Sequence, residues 1–108
     1  MRLYSTPTSV YVRKVLVVAH ELGLADRIEP VFLRPTPLKP DPELSRANPL
    51  SKIPALVLDD GTTLFDSPVI CEYLQSLAPT RRLLAAEGAA RWKTLRLQAL
   101  TDGILDAA

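Results

Sequence analysis

The chain has 108 residues, 47% of them hydrophobic and 23% charged, which allows one modest globular domain with a real core. A net charge of +1 and a pI near 7.9 give no reason to expect nucleic acid or an anionic membrane as partner. One cysteine, Cys71, excludes an internal disulfide and a CxxC redox pair, and one histidine offers no metal cluster. No apolar run approaches the ~20 residues of a membrane span. The start leads directly into a strand pattern in place of a signal peptide, so a cytoplasmic protein is expected.

Taken in order, RLYS reads as a short strand. Residues 9–22 follow a helical pattern, with Val12, Val15, Leu16, Ala19 and Leu22 in one stripe and Gly23 as the C-terminal cap. Residues 28–33 are apolar enough for a second strand, in which Pro30 points to an edge. A loop bearing Pro35, Pro37, Pro40 and Pro42 excludes a long helix, although Asp41 can cap one or two turns that open on Pro42.

The next segment, NPLSKIPALVLDDGTTLFDS, is the most informative. Residues 55–58 and 63–65 pattern as a hairpin around Gly61. Pro54, just before the first of these strands, marks an edge, a strand start or a cis bond. A cis bond there would expose the backbone of Ile53. Ser67 as N-cap, with Pro68 at the first helical position, opens a helix over 67–77 whose inward residues are Ile70, Tyr73, Leu74 and Leu77. An anion-seeking helix start at Ser67 and an open strand edge at Ile53 together suit a small anionic peptide.

Residues 78–87 read as a linker. Residues 88–108 read as one long helix, with Trp92, Leu95 and Ala99 on one side and Leu97, Leu100, Ile104 and Ala108 on another. Two apolar sides call for cover twice over. Trp92 is expected as a core anchor. The terminal DGILDAA breaks off in mid-pattern.

Four pieces in order, RLYSTPTSVYVRKV, NPLSKIPAL, the hairpin with DDGTTLFDS, and SPVICEYLQSL, resemble the N-terminal domain of the glutathione transferases. RWKTLRLQALTDGILDAA is more loosely similar to the first helix of that family's all-helical second domain. The resemblance implies an α/β fold: a thioredoxin-like βαβ-α-ββα domain over 1–77, a linker over 78–87 and the first helix of an all-α domain over 88–108. It also implies that a complete transferase continues for several more helices and forms a homodimer. The chain is then expected to be a fragment, a truncated gene product or a partial structure.

The same resemblance implies a site. Asp66 and Ser67 would take the γ-glutamyl end of glutathione, with Ser67 on the carboxylate and Asp66 near the ammonium. Ile53, beside Pro54, would pair its backbone with the cysteinyl part. Lys52, or Arg34 or Lys39, would meet the glycyl carboxylate. Ser9 stands where glutaredoxin-like relatives carry a nucleophilic cysteine, so its hydroxyl would activate the glutathione thiol against a small electrophile. Without the resemblance Ser9 is simply a helix cap.

Ser5, Thr6 and Thr8 are the alternative hydroxyls. Tyr4 is expected to point into the sheet, and Tyr11 is a lesser candidate. Val10 departs from the proline common at that position. Asp102 is a candidate for polar lining of the electrophile side; Arg13 and Lys14 are expected on a charged helix face, with contact to a carboxylate as the alternative, His20 at a helix end, and Cys71 packed or at a subunit contact. Glutathione is the implied co-substrate, with no metal. A non-catalytic scaffold is the alternative function, and a glutaredoxin-type reductase is disfavoured because Ser9 and Val12 replace the cysteines.

Overall fold

A computed structural model describes residues 1–34 and 38–107. Pro35, Pro37 and Ala108 therefore lie outside the described residues. The first strand, β1 (Arg2–Ser5), leads into α1 (Val10–Glu21), a single 3-10 turn at Ala25–Arg27, and β2 (Glu29–Phe32). Then come α2 (Pro42–Ala47), β3 (Ala55–Val57), β4 (Thr63–Leu64), α3 (Ser67–Ser76) and α4 (Ala89–Ala107).

The strands form one sheet in the order β2-β1-β3-β4. The β1–β2 pair is parallel, with Arg2 beside Glu29; β1–β3 and β3–β4 are antiparallel, with Leu3 beside Leu56 and Leu56 beside Leu64. Pro30 sits on the edge strand β2, where its missing N–H does least harm. Side chains alternate across the sheet. Leu3 and Leu56 therefore join Val12, Val15 and Ala19 of α1, Leu22 just after it, and Ile70 and Leu74 of α3 in the larger core. Tyr4 and Ala55 face the other way, against Leu44 and Ala47 of α2. Each fully buried leucine here contributes about 1.5–3 kcal/mol.

Local chemistry sets the helix ends. Asp41 caps α2 by accepting from the N–H of Glu43 (2.9 Å) and Leu44 (3.2 Å). After α1 the chain turns at Gly23 (φ +73°); the N–H of Gly23 reaches the carbonyl of His20 at 3.1 Å, and that of Leu24 reaches Ala19 at 2.8 Å. A residue with a Cβ is disfavoured at that φ. Exposed His20 lies in the last turn, as expected.

Two expectations need correction. The N-cap of α3 is Asp66, whose carbonyl accepts from the N–H of Ile70 at 3.1 Å; Ser67 and Pro68 are the first two helical residues. Trp92 is no core anchor, being 67% exposed, and Leu97, Leu100 and Ile104 are exposed as well. The less exposed residues of α4 are Arg91, Leu95, Gln98, Asp102 and Leu105, spaced three and four apart along one face. Polar partners selected that face over the apolar one. Arg91 pairs with Glu72 at 2.9 Å, and Lys14 pairs with Asp102 at 2.9 Å.

Gln75 is buried, a placement the helical pattern does not announce. Its amide donates to the carbonyls of Ala78 (3.1 Å) and Arg81 (2.7 Å) and accepts from the N–H of Leu83 (2.7 Å) and Leu84 (3.1 Å). All four hydrogen-bonding positions of the side chain are spent on the linker to α4.

Candidate functional site

A cavity of about 460 Å³ opens where β3, α3, α1 and α4 converge. It is lined by Lys52, Ile53 and Pro54 ahead of β3, by Asp66 and Ser67 at the start of α3, by Tyr11 of α1, and by Asp102 and Asp106 of α4. All five binding residues expected from the sequence thus reach one space from two separate segments. Among the described lining residues Lys52 is present, whereas Arg34 and Lys39 are not. The Ile53–Pro54 peptide bond is cis.

Asn48, which also lines the cavity, shapes this corner and was missed by the sequence reading. It is 1% exposed; its amide donates to the carbonyl of Lys52 at 3.0 Å and accepts from the N–H of Leu50 at 2.9 Å. Ser51, at φ +54°, occupies the left-handed region that asparagine-anchored turns tolerate. The available signal was an asparagine directly after a short helix, a residue type that organises its own downstream backbone.

Ser67 is 2% exposed at the positive end of a ten-residue helix, while Asp66 is exposed beside it. The helix end favours an anion and the carboxylate favours a cation.

Ser9 caps α1: its hydroxyl oxygen accepts from the N–H of Val12 at 3.2 Å. A hydroxyl that accepts still has its own proton to donate, so capping leaves Ser9 able to stabilise a thiolate. Ser9 is not, however, among the described lining residues of the cavity; Tyr11, two positions on, is. The alternatives separate clearly. Ser5 is fully buried, with its hydroxyl donating to the carbonyl of Leu3 at 2.9 Å. Thr6 is half-buried and Thr8 exposed.

Tyr4 is buried, as expected, and donates to Glu43 at 2.9 Å; burial, then Glu43, raises its pKa. Tyr11 donates to the Asp106 carboxylate and lies 3.3 Å from the carbonyl of Asp102. The Asp106 hydrogen bond is the main reason its pKa is pushed up to about 12. A phenol proton committed to a carboxylate is poorly placed to serve a sulfur.

Lys14 does more than sit on a charged helix face: its ammonium bridges both oxygens of Asp102, at 2.9 and 3.1 Å. Cys71 is half-buried at the edge of the larger core, and burial pushes its thiol up to about 11. It lines a second, mainly apolar cavity of about 340 Å³ between α1, α3 and α4. Among the described residues no group of three or more His, Cys, Asp or Glu side chains could hold a metal ion, and no helix is long and apolar enough to cross a membrane.

A parallel βαβ unit, a short helix, an antiparallel hairpin and a helix starting at the Asp66–Ser67 cavity make this a thioredoxin-like domain with α4 packed against it. The family profile described as glutathione S-transferase, N-terminal domain, matches residues 8–77. The uncharacterized GST-like protein YibF of Escherichia coli K12 is 33% identical over 107 residues, 99% of this chain and 51% of that protein. A stringent starvation protein A homolog of Coxiella burnetii is 36% identical over 91 residues, 84% of this chain and 41% of that protein.

Among solved structures, a glutathione transferase family member from Pseudomonas fluorescens Pf-5 with bound glutathione superimposes with a TM-score of 0.93 at 46% identity. That match covers 98% of this chain and 52% of that one. A further structure from the same species, with bound S-(propanoic acid)-glutathione, gives 0.85 at 43% identity, covering 99% and 50%. This chain belongs to the glutathione S-transferase family. It spans about half the length of the relatives it matches.

Proposed function

We propose that this chain is the glutathione-binding part of a glutathione transferase. The observation that carries the reading is the convergence of Lys52, Ile53, Pro54, Asp66 and Ser67 on one cavity, joined by the glutathione held in a relative of TM-score 0.93. Ser67 receives the γ-glutamyl carboxylate through its hydroxyl and N–H, and Asp66 receives the ammonium. The backbone of Ile53 pairs with the cysteinyl unit, and Lys52 meets the glycyl carboxylate.

Ser9 donates its hydroxyl proton to the sulfur. A thiol starts near pKa 8.5, and a depression of about two units, about 2.7 kcal/mol, makes it mostly thiolate at neutral pH. The thiolate then attacks an electrophilic carbon: an S–C bond forms, and the displaced electron pair leaves with a leaving group or is protonated. The whole protein acts as a cytoplasmic homodimer in conjugating small electrophiles.

A scaffold without catalysis is the second reading, supported by the similarity to a stringent starvation protein A homolog. Calorimetric titration of glutathione into the chain tests the site. Saturable binding is expected, weakened at least tenfold in Ser67→Ala. Absence of binding by a folded sample refutes the reading, and binding without any conjugating activity in the whole protein favours the scaffold.

A further inference from the structure

The cavity presents three carboxylates, Asp66, Asp102 and Asp106, against one ammonium, Lys52. Such a lining opposes entry of a peptide with two carboxylates and one ammonium. Asp66 has a partner in the ligand's own ammonium on the reading above, which leaves the two carboxylates of α4 to be accounted for. Tyr11 occupies an oxygen of Asp106 but, being neutral, cancels no charge. Lys14 is different. It is not among the described lining residues of the cavity, yet its ammonium lies 2.9 and 3.1 Å from the two oxygens of Asp102.

The Lys14 and Asp102 side chains are only 24% and 16% exposed. Water therefore screens their fields less than it would on an open surface. The pairs also have matching spacing. Tyr11 and Lys14 stand three apart on α1, Asp106 and Asp102 four apart on α4, and the two helices run in opposite directions along this seam.

We propose that Lys14 tunes the charge of the site: by pairing with Asp102 it offsets one negative charge of the cavity wall, so that the cavity admits an anionic peptide. The proposal rests on the glutathione reading and deepens it. It identifies the α1–α4 ion pair as a determinant of the ligand's charge class, exerted without contact to the ligand.

The test is calorimetric titration of glutathione into the full chain and into Lys14→Met, Asp102→Asn and the double variant, at about 0.02 M and about 0.5 M salt. At low salt, loss of the positive charge that offsets Asp102 raises Kd about fivefold in Lys14→Met. The double variant, with the charge balance restored, is expected within about twofold of wild type, and Asp102→Asn alone binds more tightly. At high salt the differences shrink below about twofold.

An unchanged Kd in Lys14→Met, or a loss equal at both salt concentrations and not recovered in the double variant, overturns the proposal and leaves Lys14 a packing role. If Lys14→Met fails to fold, Asp102→Asn decides: weaker binding in that variant overturns the proposal. Wild-type protein that binds no glutathione overturns the underlying reading itself; wild-type binding that is lost in Ser67→Ala but indifferent to Lys14 overturns only the inference.

Discussion

Replacing Gln75 by leucine probes how the thioredoxin-like domain holds the helix that walls its cavity. The side chain is 4% exposed and makes four hydrogen bonds, all to backbone groups of residues 78, 81, 83 and 84. At about 1 kcal/mol net for each bond, the gross loss is about 4 kcal/mol. Leucine returns part of this by adding apolar surface to the cavity that Gln75 lines with Val18, Cys71, Leu83 and Leu84. Arg81 and Leu83 are exposed and Ala78 and Leu84 half-buried, so the freed groups regain water in part. A net destabilisation of about 2–3 kcal/mol remains.

For a domain of this size that loss lowers Tm by about 10–20 °C. Urea unfolding should show a lower midpoint with an unchanged m-value. Hydrogen exchange should show the amides of Leu83 and Leu84 losing protection while those of the sheet keep theirs relative to the new global stability. A variant within about 0.5 kcal/mol of wild type, with those two amides still protected, refutes the tether.

Two further substitutions address the chemistry. Ser9→Asp keeps an oxygen to cap α1 but offers no proton and adds a negative charge. Stability should stay within about 0.5 kcal/mol of wild type, against a loss of about 1 kcal/mol in Ser9→Ala, while conjugation by the whole protein falls at least tenfold in both. Undiminished turnover in Ser9→Asp would move the activating hydroxyl to Thr6.

Burial pushes the Cys71 thiol up to about 11. At pH 8 a thiol reagent should label it about 100-fold more slowly than a free thiol of pKa about 8.5. The unfolded chain ionises this group first and then binds fewer protons than the folded one. Stability therefore declines as pH rises from about 8.5 towards 11, and Cys71→Ala should flatten that decline in urea titrations.

Local chemistry made much of the fold legible. Asp41 before Pro42, Gly23 after a helical stripe, Gly61 in a hairpin and Pro54 before a strand each act over a few residues, and each stands where the sequence placed it. The pairing of Ile53 with Ser67 was legible from the chemistry of a strand edge and a helix start, and the resemblance supplied the ligand; no local rule by itself brings β3 beside the start of α3. Choices settled by distant partners were lost. Two faces of α4 are apolar, yet the face that packs is the one whose Arg91 and Asp102 meet Glu72 of α3 and Lys14 and Tyr11 of α1; hence Trp92 was misplaced. Gln75 was overlooked for a related reason: its partners are backbone atoms of a linker, whose path no side-chain pattern encodes. The shift of the α3 cap from Ser67 to Asp66 is a one-residue matter of where helical geometry begins.

The most direct measurement is a crystal structure of this chain with glutathione. The account expects the γ-glutamyl carboxylate on the hydroxyl and N–H of Ser67, its ammonium near Asp66, the cysteinyl backbone paired with Ile53, and the sulfur within hydrogen-bonding distance of Ser9. A tripeptide bound away from the Ser67 end of α3, or one whose sulfur faces Tyr11 with Ser9 out of reach, would contradict it.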